Sequence, residues 1–184
     1  EGRPGPMVAG WKLDAVMPRL TERAVAWIAE QKGADRPFFL YFPFTSPHAP
    51  IVPTQAFQGK SQAGPYGDYM HQSDWTVGEV LEALDANGFR DNTIVVFSSD
   101  NGAEQFAYER LRNFEHWSSG VFRGVKRDIY EGGHRIPLLV RWPGVVTPGR
   151  VFDGLVSQID LMATFSAVVG HPLTEGMAED SHDL

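Results

Sequence analysis

The 184-residue chain contains no cysteine. Disulfides, thiolate metal sites and a cysteine nucleophile are therefore excluded within these residues, while the redox compartment stays open. No apolar run approaches the roughly 20 residues that a membrane-spanning helix needs. The richest run, Pro37 to Phe44, is strand-sized and broken by Pro43, so no membrane span is expected. Runs of Lys and Arg are missing as well, and 16 basic against 23 acidic residues leave a net charge of -7. Nucleic acid and anionic membrane surfaces are thus disfavoured as partners. Glu1 to Gly10 hold no basic start followed by an apolar stretch, so no signal peptide is visible there. Glu1 in place of Met points to a start further upstream.

What is present suits a folded domain. Hydrophobic residues make up 42% of the chain, enough to bury one core. No internal repeat or long linker divides it, so one domain, or part of one, is the simplest organisation. Thr21 to Lys32 places Ala24, Val25, Ile28 and Ala29 on one helical face, opens with Thr-Glu-Arg as a cap and ends at Gly33. Pro37 to Phe42 reads as a strand, and residues 45 to 69, rich in Pro, Gly, Ser and Gln, read as a long loop serving a site. Tyr69 to Asn87 is a predicted helix closed by Asn87-Gly88. Thr93 to Ser98 is a β-branched strand, 102 to 133 a second functional loop, Ile136 to Trp142 a strand, and Ile159 to Val169 a helix stopped by Gly170. This alternation predicts an α/β fold with a mainly parallel sheet sandwiched between helices.

Ligands of such sheets collect at the carboxyl ends of strands, and three polar clusters fall there. Asp100-Asn101-Gly102 follows one strand and offers a carboxylate beside an amide oxygen, the mixture that hard cations such as Ca²⁺ take. It is equally the sequence of an ordinary Asx turn. His48 follows another strand between Pro47 and Pro50, which restrict the backbone and present the imidazole to a leaving group or an anionic oxygen. A loop histidine can also be merely solvated. Residues 122 to 135 bring Arg123, Lys126, Arg127, His134 and Arg135 between glycines, an arrangement suited to a tetrahedral oxyanion. The alternative is a solvated basic loop in which Glu131 pairs with Arg123 or Arg135.

FFLYFPFTSPHAP, DNTIVVFSSDNG and FRGVKRDIYEGGHRIPLLVRWPG, in this order, resemble the second half of the catalytic domain of the type I sulfatases, the arylsulfatase family of the alkaline-phosphatase-like superfamily. The likeness extends through the helix GDYMHQSDWTVGEVLEALDANG and the segment SQIDLMATFSAVVG. The resemblance implies sulfuric ester hydrolysis with Asp100 and Asn101 as ligands of a divalent cation, usually Ca²⁺. It implies that His48 contacts the sulfate ester and its leaving oxygen, and that Lys126 binds sulfate. His116, Arg123 and His134 share the loop and are candidates for lining the substrate pocket.

The family's formylglycine nucleophile arises in a Cys/Ser-x-Pro-x-Arg motif, which does not occur here, nor do the paired N-terminal aspartates or a Lys-x-His pair. These precede the His48 region in family order, so residues 1 to 184 read as a partial catalytic domain, cut again where Gly176 to Leu184 would lead into a small C-terminal subdomain. Such a piece is expected not to turn over alone and to be prone to self-association through exposed strand edges. The expected substrate is a sulfated small molecule or glycan; aryl, glycosaminoglycan and marine polysaccharide sulfates are not separated by the sequence. Export to the periplasm or out of the cell follows from the resemblance alone. Two other readings are a phosphoric or phosphonic ester hydrolase of the same superfamily and a non-catalytic homologue that binds sulfated glycans.

Overall fold

The computed structural model describes residues 5–184, which fall into two compact units divided after Thr147. In the first unit, helix α1 (Val16–Glu30) buries Met17, Thr21, Ala24 and Ile28, a run of three- and four-residue steps that lines one face. It starts five residues before the expected cap at Thr21. Pro18 is accommodated because it lies in the first turn, where N–H groups lack helical acceptors. Thr21 is an interior residue instead: its Oγ1 donates to Met17 O at 2.9 Å and lies 2.9 Å from Thr76 Oγ1. Thr76 belongs to α2 (Gly64–Ala86), so this buried hydroxyl pair fastens the two helices together.

Helix α2 ends as the sequence predicts, with Asn87 Nδ2 on Ala83 O at 2.8 Å and Gly88 at φ +84°. Its beginning, five residues earlier than expected, is organised by Asp68, which is 4% exposed. Its carboxylate accepts the N–H groups of Gly59, Lys60 and Ser61 at 2.8, 2.9 and 2.8 Å. Burial acts to raise this carboxyl, yet the three backbone donors together hold it below its ordinary value. Asp68→Asn, which puts an amide N–H₂ against these donors, is expected to cost about 1–3 kcal/mol, read from the unfolding midpoint of the full-length protein.

The core joins Ile28 of α1 to Ala83 and Leu84 of α2, with Trp27, Phe38, Leu40, Phe89 and Val95 packed around them. Trp27, Phe38 and Phe89 form successive edge-on ring pairs at 5.5 and 5.2 Å. Segment 37–42 therefore alternates as the predicted strand should, Phe38 and Leu40 inward, Phe39 and Tyr41 outward at 73% and 77% exposure. It is not a strand of the described sheet.

That sheet differs from the expected one. Among the described residues it has two strands, β1 (Val95–Ser98) and β2 (Leu138–Arg141), and they run antiparallel with Val95 opposite Arg141 and Ser98 opposite Leu138. Between the two strands, the segment expected as a loop contains a helix, α3 (Ala107–Phe114). Its buried Arg110 stacks on Tyr66 of α2 at 3.8 Å and donates to Ser118 Oγ at 2.8 Å. A single helical turn, α4 (Glu131–His134), precedes β2.

In the second unit, α5 (Asp160–Val168) matches the predicted helix. Asp160 accepts the N–H groups of Ser157 and His182, at 2.8 and 3.0 Å, which ties the segment after the helix back to its first turn. No described helix is long and apolar enough to cross a membrane.

Candidate functional site

The antiparallel register decides what meets what. It sets the carboxyl end of β1 beside the amino end of β2, so the Asp100-Asn101-Gly102 turn and the 122–135 loop emerge at the same place. A parallel pairing would have put that turn beside Trp142 instead. Ser98 Oγ donates to Pro137 O at 2.8 Å, and two main-chain bonds continue the stitching beyond the sheet. Gly102 N–H donates to Gly133 O at 2.9 Å, and Lys126 N–H donates to Ala103 O at 2.7 Å.

Close backbone approach explains the glycines. A Cβ on Gly102 would overlap the Gly132 carbonyl oxygen, and one on Gly133 would lie 2.5 Å from Val125 O. Gly124 adopts φ +86°, a conformation in which a side chain is strained. Further bonds close the loop on itself: Gly132 N–H to Arg123 O at 2.8 Å, Asp128 N–H to Val125 O at 2.8 Å, and Val125 N–H to Asp128 Oδ2 at 2.9 Å.

The basic residues of this loop have different assignments. Arg123 lies over the Tyr130 ring at 3.8 Å. Arg135 covers Phe122 at 4.6 Å and pairs with Glu131 at 3.0 Å, which settles the choice left by the sequence in favour of Arg135. Arg127 forks onto Glu104, Nη2 to Oε2 at 2.9 Å and Nε to Oε1 at 3.2 Å. The Gln105 N–H and then Arg127 hold the Glu104 carboxyl below its ordinary value against the opposing effect of burial. A carboxyl lowered by folding contributes stability above its unfolded value and loses it as pH falls through the folded one, so this pair is intact at neutral pH. Lys126, half-buried, makes no side-chain ion pair among the described residues.

Asp100 is exposed, and no hydrogen bond or ion pair engages its carboxylate among the described residues. The Asn101 amide donates through Nδ2 to Gly102 O at 3.0 Å, which leaves Oδ1 as an oxygen donor. A carboxylate and an amide oxygen on adjacent residues fit a hard divalent cation. Among the described residues no group of three or more His, Asp or Glu side chains could hold a metal.

The structure thus brings Asp100, Asn101, Arg123, Lys126 and His134 to one end of the sheet, His134 exposed at the close of α4. His48 lies on a separate loop that is pinned to α2 through Ser46 Oγ, 2.7 Å from Ser73 Oγ. Its Nδ1 is 2.6 Å from Ala49 O, and a carbonyl can only accept, so Nδ1 carries the hydrogen of that contact. No hydrogen bond ties His48 to the Asp100 cluster. His116 packs against Tyr66 of α2 at 6.3 Å between ring centroids. A hollow of about 920 Å³ lies elsewhere, lined by residues such as Trp11, Ile51, Val52 and Pro53, and none of the candidate residues lines it. The Glu104–Arg127 pair escaped the sequence reading, since two oppositely charged residues far apart in the chain carry no pairing signal.

Comparison with known proteins places these elements in a family. The sulfatase family model matches residues 14–171. An N-acetylgalactosamine-6-O-sulfatase of Bacteroides thetaiotaomicron is 41% identical over 179 residues, 94% of this chain and 34% of that protein. Human steryl-sulfatase is 34% identical over 171 residues, 93% of this chain and 29% of that protein. A solved structure from the metabolism of multiple glycosaminoglycans by Bacteroides thetaiotaomicron superposes with a TM-score of 0.84 at 40% identity, covering 94% of this chain and 36% of that one. The chain therefore spans about a third of the length of the relatives it matches. The neighbouring structures share the alkaline-phosphatase-like α/β fold. With the Asp-Asn-Gly turn and the Lys126 loop joined as described, the chain belongs to the sulfatase family.

Proposed function

We propose that this chain is part of the catalytic domain of an enzyme that hydrolyses sulfate esters, and that the 100–103 turn and the 122–135 loop form one side of its active site. The observation that supports this most is a lysine whose side chain makes no ion pair among the described residues, joined through its own N–H to the turn that carries Asp100 and Asn101. Within this reading, Asp100 and Asn101 would hold Ca²⁺ or a similar cation, which takes about six to eight oxygens, so further ligands come from outside these residues. Such a cation supplies positive charge opposite the sulfate oxygens. The Lys126 ammonium offsets charge on the same group, and Arg123 and His134 flank it. His48 Nε2–H, available when the ring is charged, gives its proton to the departing alcohol. His116, packed against Tyr66 of α2, is proposed to line the substrate pocket.

The nucleophile is expected to be a formylglycine in the upstream part of the protein. A mainly parallel sheet sandwiched between helices is proposed for the complete domain, with segment 37–42 and the antiparallel pair of described strands as parts of it. The alternation of Phe38 and Leu40 with Phe39 and Tyr41 supports a strand there. A sulfated glycan is the favoured substrate, on the strength of the relative that acts on N-acetylgalactosamine 6-O-sulfate. Export to the periplasm or out of the cell belongs to the same reading and rests on family likeness.

The test is hydrolysis by the full-length protein of matched sulfate and phosphate esters of one alcohol. Faster release from the sulfate is the expected result, and a preference for the phosphate would overturn the assignment. In Asp100→Ala, bound metal measured by elemental analysis is expected to fall together with activity. A variant retaining its full metal complement would remove Asp100 from the ligand set.

A further inference from the structure

We infer that Glu104 and Arg127 form a positioning clip, which holds the Lys126 loop on the Asp100 turn and keeps the Glu104 carboxylate from pairing with Lys126. The inference rests on the proposed sulfatase reading of Lys126 and deepens it.

The geometry is that of adjacent rungs. Ala103 and Lys126 share a main-chain bond of 2.7 Å, and the residues immediately following each of them, Glu104 and Arg127, share a two-point fork of 2.9 and 3.2 Å. A fork fixes orientation as well as distance, which a single contact does not. Glu104 Oε1 also accepts the Gln105 N–H at 2.7 Å, so the carboxylate is fastened to its own main chain. With Gly102 N–H on Gly133 O as a further rung at 2.9 Å, the two loops cannot pivot about the Lys126 N–H alone.

Charge assignment is the second half of the device. Lys126 and Arg127 are neighbours in the chain, and the Glu104 carboxyl senses both cations, Arg127 more than Lys126. The guanidinium satisfies both carboxylate oxygens at once, which an ammonium cannot do, so Arg127 takes Glu104 and Lys126 keeps its charge for an anion. Arg127 is largely exposed, its side chain at 69%, and an exposed pair adds little to stability. The value of the pair lies in placement.

The experiment compares Arg127→Ala, Glu104→Gln and the double variant in the full-length protein. It measures kcat and KM on a sulfate monoester, the unfolding midpoint, and amide hydrogen exchange at Gly102 and Lys126. Arg127→Ala leaves Glu104 free to capture Lys126 and is expected to lower kcat/KM about tenfold, with the midpoint nearly unchanged. The double variant, having no carboxylate to capture the lysine, is expected to recover part of that loss, which a purely structural pair would not allow. Both amides exchange faster in Arg127→Ala. Unchanged kinetics in both single variants, or a double variant no better than Arg127→Ala, would overturn the clip. If the unaltered protein hydrolyses no sulfate ester, the sulfatase reading falls and exchange alone decides. Acceleration at Gly102 and Lys126 then sustains the clip between the loops, and unchanged exchange removes it.

Discussion

Lys126→Ala in the full-length protein is expected to lower turnover of a sulfate ester about 10²–10³-fold, the usual scale for removing one charge aimed at a reacting oxyanion. The effect is separable from folding because the residue's structural contribution is made by its main chain. The N–H to Ala103 O bond survives the substitution, so the unfolding midpoint should stay near that of the unaltered protein. Both kcat and kcat/KM should fall if the ammonium acts on charge that develops in the transition state, whereas a rise in KM alone would mark ordinary substrate binding. Lys126→Arg is not a conservative rescue, since a planar fork directs its donors differently from a compact ammonium. Near-normal turnover by Lys126→Ala would contradict the role assigned to it.

Gly132→Ala is expected to be a strongly damaging substitution of a single hydrogen by a methyl group. Its Cβ would lie 2.6 Å from Arg123 O and 2.9 Å from the Gly124 carbonyl carbon, and would overlap the Gly124 oxygen as well. All three are main-chain atoms, which cannot swing aside as a flexible side chain would. The loop must move bodily, at an expected cost of about 1–3 kcal/mol. Displacing catalytic groups by about 1 Å costs roughly 10²-fold in rate, so activity should fall further than stability. Gly78→Ala is the control. It sits on the exposed side of α2 with no atom within 4 Å of the added carbon, and helix propensity predicts a gain of about 0.5–1 kcal/mol. Equal behaviour of the two variants, by unfolding midpoint and by kcat/KM, would refute the interlocked-glycine account.

Local chemistry was legible in the sequence, and direction was not. Asn87-Gly88 stops α2 where a left-handed terminator should, and Val95–Ser98 and Leu138–Arg141 are strands within the predicted segments. These features depend on a few neighbouring residues. The antiparallel pairing of the two strands, like the seating of Arg110 of α3 against Tyr66, joins segments distant in the chain. For the same reason Thr21 was misread: Thr-Glu-Arg has the form of a cap, but a partner hydroxyl on Thr76 makes it a buried helix interior. Of the proposed site, Asp100, Asn101 and Lys126 are legible through motifs that resemble those of the sulfatases. The register that joins them, and the Glu104–Arg127 fork, come only from the fold. Segment 37–42 shows the limit from the other side, with the alternation of a strand and no place in the described sheet.

The bond from Lys126 N–H to Ala103 O has one more consequence. Everything between these residues, 104–125, is an excursion whose two feet are already tied together at its base. Doubling the length of a flexible loop adds only about 0.6 kcal/mol of closure cost. Natural variation can therefore lengthen, shorten or replace the outer part of this excursion, α3 included, while Asp100 and Lys126 keep their spacing. In effect the excursion has a tied base and a crown, and a change in the length of the crown need not disturb the base.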